Sequence, residues 1–266
     1  MKKVIAVYGN PGCGKSGVSL ALAASLAAKK KDVILISGDR VTPMLKVYAP
    51  KEEVTQSLSI GSLLMESDIT ERLVSNHVVF HPKSNNLAFM GMASMDNIAT
   101  YPPRFIEDRV TALFGFLYRL CDYLIVDCSC NFLSDDIALK GLEVANIMVE
   151  LITPNIAGLE FWNSMNVILR DERFSHSVKV PVISNAKPIS PVRELQEVGR
   201  AVLGDIRYVL PYSYEVEDRM MCGKLIKWLG RKEGIAFENI IEQIVKNAIL
   251  AKPSTQGEDN GRTESN

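Results

Sequence analysis

The sequence predicts a doubly wound α/β domain, a mostly parallel sheet with helices on both faces. Three observations predict it: short apolar runs rich in β-branched residues, longer stretches of helical spacing between them, and polar or glycine-containing turns at the ends of the runs. The runs fall at Val4–Tyr8, Val33–Ser37, Val78–Phe80, Leu87–Met90, Tyr123–Asp127, Ile147–Thr153, Val180–Ser184 and Ile206–Leu210. They lack strict polar alternation, as strands buried on both faces do. Helical spacing appears over Lys15–Lys30, Pro103–Leu120, Ile156–Arg170, Val192–Leu203 and Phe237–Leu250. Alternation of the two kinds implies right-handed parallel crossovers, with ligands bound at the carboxyl ends of the strands.

Residues 1–251 are read as one domain. From residue 252 to 266 the chain is small, polar and without period, so it buries too little apolar surface to offset its ordering entropy and reads as a disordered tail. With 30 Lys and Arg against 31 Asp and Glu, no global field draws the 266-residue chain to nucleic acid or anionic lipid. No apolar stretch approaches the roughly 20 residues that span a bilayer. The five cysteines fit reduced thiols in a cytoplasmic protein, and Cys128-x-Cys130 lacks zinc spacing.

The first run leads into Gly9-Asn10-Pro11-Gly12-Cys13-Gly14-Lys15-Ser16-Gly17, and a helix follows at once. Strand, glycine-rich loop and helix form the context in which G-x-x-x-x-G-K-S binds phosphate. The glycines let consecutive N–H groups turn inward, the helix N-terminus adds partial positive charge, and Lys15 supplies a full one. The Ser16 hydroxyl and Asp127, at the end of an apolar run, are the candidate Mg2+ ligands, Asp127 acting through a water. Asp39 closes the second run, where a carboxylate can orient the water that attacks a γ phosphate; the alternative for Ser37-Gly38-Asp39 is a plain polar turn. Lys15 and Asp39 are the candidate catalytic residues, and ATP with Mg2+ the expected cofactors.

With those residues in place, the chain resembles the ParA/MinD family of ATPases. Gly12-Cys13-Gly14-Lys15-Ser16 matches the later part of that family's phosphate loop, and Asp39 its second acidic position. Ile152-Thr153-Pro154-Asn155 resembles its valine-threonine-proline segment. Val182-Ile183-Ser184-Asn185 resembles the strand whose closing asparagine contacts adenine, and Val209-Leu210-Pro211-Tyr212 its proline-tyrosine turn. The resemblance thus adds Asn185 and Pro211 to the nucleotide-binding residues and implies an ATP-dependent homodimer that switches its association with protein partners. One position departs: Asn10 stands where the family has a signature lysine that crosses the dimer to the partner's phosphates. A neutral amide cannot supply that charge, which leaves hydrolysis slow, partner-dependent or absent. An atypical loop of this kind is most similar to the TadZ/CpaE branch, which implies a role in positioning pilus or secretion machinery and recruitment to the membrane or cell pole through partners. A DNA-partitioning ATPase and a non-hydrolysing nucleotide-binding module are the alternatives.

Two further features have plain readings. Phe237, Ile240, Ile241, Ile244, Val245, Ala248 and Ile249 share one helix face, and the opposite face carries little net positive charge, so the helix is expected to dock on the sheet instead of on a membrane. Lys29-Lys30-Lys31 suits the end of the first helix, where cations favour the dipole, better than it suits a nucleic-acid patch.

Overall fold

A computed structural model describes residues 2–50, 55–187, 200 and 202–251. The expected helix over Val192–Leu203 and the tail over 252–266 lie largely or wholly outside the described residues. Among the described residues, eight strands form one sheet in the order β3-β4-β2-β5-β1-β6-β7-β8. In chain order they are β1 (Lys3–Gly9), β2 (Val33–Ser37), β3 (Val79–His81), β4 (Ser84–Gly91), β5 (Tyr123–Asp127), β6 (Ile147–Ile152), β7 (Val178–Ala186) and β8 (Tyr208–Pro211). Every pairing is parallel except β3 with β4, a hairpin that closes one edge.

Successive side chains of a strand point to opposite faces, and the two hydrophobic clusters follow that rule. Val4, Ala6 and Tyr8 of β1 join the cluster on one face, while Ile5 and Val7 join the other. The first face is covered by helices at Glu107–Leu120, Asp136–Val144 and Ile156–Leu169; the second is covered by α1 (Lys15–Ala28) and the helix at Lys232–Ile244. The latter helix buries Phe237, Ile241 and Ile244 and continues as a π-turn over Val245–Ile249, so its apolar face is docked.

α1 is buried along nearly its whole length, because it lies between the sheet and the C-terminal helix. Lys29 caps its end and pairs with Glu242 at 2.5 Å. The helix at Asp136–Val144 has no counterpart among the segments expected from helical spacing. It is only nine residues long, and Asp135, its N-cap, accepts hydrogen bonds from Ile137 N and Ala138 N. Among the described residues, no helix is long and apolar enough to cross a membrane.

Candidate functional site

The strand order places the end of β1 between the ends of β5 and β6, so the loop after β1 meets the carboxyl end of each neighbour. Gly14 initiates α1 with φ 81°, a left-handed conformation that costs glycine little. Gly9 packs so tightly that a Cβ there would come within 2.3 Å of the Leu151 carbonyl oxygen on β6. A side chain would thus be blocked by β6 at Gly9 and strained by the backbone at Gly14.

A cavity of about 420 Å³ opens over the loop. Gly12, Cys13, Gly14, Lys15, Ser16, Gly17, Asp39, Asp127, Asn185 and Pro211 line it, so most of the residues singled out in the sequence converge on one space. Gly9, Asn10 and Pro11 are not in its lining. The volume is in the range of small-molecule and cofactor sites.

The Lys15 ammonium turns back over the loop, with the Gly9 and Asn10 carbonyl oxygens at 3.3 and 3.4 Å and Cys130 Sγ at 2.7 Å. Burial works against its charge, but the contact with Cys130 and the Asp127 carboxylate help to outweigh burial, and its pKa stays above the ordinary value. Burial likewise drives the Cys13 thiol up to about 12, so it stays protonated and serves as packing. Ser16 Oγ donates to Asp127 Oδ2 at 2.6 Å, joining loop and strand end. Asp127 is 4% exposed; burial raises its pKa, and the donors from Ser16 and Tyr48 only partly offset this. A buried carboxylate held beside a serine hydroxyl is an oxygen donor set of the kind Mg2+ takes, and its incompletely compensated charge favours a cation. The residues fit that ion: Ser16 would bind it directly and Asp127 through a water, and the ion would supply charge for the phosphates.

Asp39 faces the same cavity, yet Asp39 Oδ1 accepts from Val41 N (2.8 Å) and Thr42 N (3.0 Å). The carboxylate thus caps its own turn and also stands at the cavity. At the opposite end Asn185, at φ 54°, donates through Nδ2 to the Gly12 carbonyl oxygen at 2.8 Å, and so braces the phosphate loop from β7.

Asn10 is 3% exposed. Its Nδ2 donates to Thr153 Oγ1 at 2.8 Å and its Oδ1 accepts from Thr153 N at 3.0 Å, which pins the loop to the end of β6. The side chain at the expected signature-lysine position thus points into the fold.

Sequence reasoning missed several members of the site. Tyr48, on a single helical turn at Leu45–Tyr48, donates to Asp127 Oδ2 at 2.5 Å. Cys130 contacts Lys15, and Met220 lines the cavity beside the Pro211-Tyr212 turn. Only the Cys128-Ser129-Cys130 segment after Asp127 carried a local cue; Tyr48 sits in a run with no motif.

The strand order, the loop geometry and the Ser16–Asp127 pair define the class by architecture: a P-loop NTPase fold of the MinD/ParA type. Solved structures with this fold include the septum site-determining protein MinD of Pyrococcus horikoshii complexed with Mg-ADP, at 16% identity over 95% of this chain and 100% of that chain, TM-score 0.69. A ParA family ATPase of Chlorobium tepidum matches at 17% identity over 92% of this chain and 98% of that one, TM-score 0.71. A putative plasmid partition protein of Borrelia burgdorferi bound to AMPPNP matches at 18% identity over 92% and 99%, TM-score 0.70. No protein-family model and no curated protein sequence matches the chain.

Proposed function

We propose that the chain is a ParA/MinD-family ATPase that binds ATP with Mg2+, hydrolyses it slowly and uses the bound state to switch its association with partners. The observation that carries this is the convergence of Lys15, the Ser16–Asp127 pair and Asp39 on one cavity at the end of β1. The inward amides of Gly12–Ser16 and Lys15 would hold the phosphates, and Asn185 and Pro211 would flank the base. Asp39 would orient the attacking water, and γ phosphate with Mg2+ would order the segment after Asp39.

The burial of Asn10 supports slow turnover. The amide is committed to Thr153 and carries no charge to reach a partner's phosphates. A nucleotide-dependent homodimer formed by this chain would therefore need a stabilising charge from another residue or from a partner. The finer reading, that the switch positions pilus or secretion machinery as in the TadZ/CpaE branch, is supported by this atypical loop alone. Co-purification with the components of such an assembly tests it.

The main experiment measures ATP affinity and phosphate release in the wild type, Lys15→Ala and Asp39→Ala. Lys15→Ala is expected to weaken ATP binding at least about a hundredfold, and Asp39→Ala to keep binding while losing phosphate release. Phosphate release equal in wild type and Asp39→Ala, with ATP bound by both, would instead favour the non-hydrolysing module. Salt-sensitive binding of random duplex DNA in the presence of ATP would favour the partition reading.

A further inference from the structure

Tyr48 is 2% exposed, and its ring packs on Phe89 with centroids 5.8 Å apart and planes at 28°. A ring in that place needs no hydroxyl for packing, and a buried hydroxyl without a partner would be costly. Its hydroxyl reaches Asp127 Oδ2, the same oxygen that accepts from Ser16. Among the described residues, the other oxygen, Oδ1, has a long contact of 3.4 Å with the buried Ser19 Oγ. A carboxylate offers about four lone-pair sites; the two donors on Oδ2 fix its rotation.

We propose that Tyr48 is a positioning residue for the Mg2+ site: its hydroxyl locks the Asp127 carboxylate in the rotation in which it meets Ser16 and can accept from a water of the bound ion. The proposal rests on the reading of Ser16 and Asp127 as the Mg2+ site. Tyr48 ends the short helix that follows the Asp39 turn, and Thr42 and Met44 of that turn line the cavity. The hydroxyl therefore also ties the segment after Asp39 to the metal carboxylate. Partners of metal-bound groups commonly change metal affinity about ten- to a hundredfold when removed, because the ligand loses its fixed orientation.

The test titrates Mn2+, as a paramagnetic stand-in for Mg2+, into the ADP complexes of the wild type, Tyr48→Phe, Phe89→Leu and Asp127→Asn. ADP affinity is measured separately in EDTA. Tyr48→Phe keeps the ring and is expected to weaken Mn2+ binding about tenfold while leaving ADP affinity in EDTA unchanged. Phe89→Leu loosens the packing of the ring but keeps the hydroxyl; it is expected to lower the melting temperature and leave Mn2+ affinity alone. Equal Mn2+ affinity in Tyr48→Phe and wild type would overturn the role of Tyr48. So would a loss in Phe89→Leu as large as that in Tyr48→Phe, because the effect would then be one of packing. Wild type binding Mn2+ no better than Asp127→Asn would overturn the underlying metal site instead, and the role of Tyr48 with it.

Discussion

Two clusters of charge in this molecule are built in opposite ways. Around the phosphate loop, Asp127 and Asp135 are buried, and burial raises the pKa of both, Asp135 to about 6. On the polar face of the helix at Lys232–Ile244, burial also pushes Glu242 up, but Lys227, Lys29 and Ser25 outweigh it and bring the carboxyl down to about 2. Glu238 and Lys227 pair in the same group at 2.9 Å. The helix cluster is already neutral within itself and ties the C-terminal helix to α1. The loop cluster leaves charge uncompensated where a cation and phosphates would complete it. The first arrangement is suited to holding a fold, the second to binding a ligand.

The largest expected effect comes from adding a cation to the loop cluster. Asn10→Lys would place an ammonium where a buried amide makes two hydrogen bonds to Thr153 and one to the Pro11 carbonyl oxygen. We expect a loss of about 3 kcal/mol in urea unfolding, with no gain in phosphate release, because the side chain is directed into the fold and away from a dimer partner. A stable Asn10→Lys with faster turnover would show that the loop can turn Asn10 outward.

Asp135→Asn comes next. Asp135 Oδ1 caps the helix at Asp136–Val144, whereas its Oδ2 is buried without a hydrogen-bond partner. Burial is the main cause of its raised pKa and the nearby Asp39 adds to it. The folded state holds a proton that the unfolded chain, at an ordinary 3.8, has released, so the contribution of Asp135 to stability falls as pH rises from about 4 to about 6. Asp135→Asn should therefore be more stable than wild type by about 1–2 kcal/mol at pH 8, and the difference should vanish near pH 4. A difference independent of pH would mean that the side chain acts only as a cap.

Glu242→Gln is the smallest and has the opposite sign. The folded carboxyl titrates at about 2 against an ordinary 4.5, so its stabilisation is full above 4.5 and is lost as pH falls towards 2. In a partly exposed cluster this amounts to about 0.5–1 kcal/mol at pH 7, and it should shrink in high salt. Unfolding at two salt concentrations and across acid pH checks it.

Much of the fold was legible because buried parallel strands write themselves as apolar runs. Val33–Ser37 and Tyr123–Asp127 appear in the structure with the bounds read from the sequence. The antiparallel hairpin of β3 and β4 was not legible, since an edge pairing depends on which strand lies beside which. In the site, Lys15, Ser16 and Asp127 were legible because a motif and a strand end each carry a local signature. Tyr48 and Cys130 were not, because each acquires its role only by contact with a group distant in sequence, Asp127 or Lys15.

Asn10 marks the division most clearly. The sequence by itself determined that a glycine-rich loop would join the first strand to the first helix and that a neutral amide would stand near its start, because glycine spacing and residue type are local properties. Only the tertiary structure decided where that amide points. The end of β6 supplies Thr153 at hydrogen-bonding distance, and a buried amide takes the partners that satisfy it.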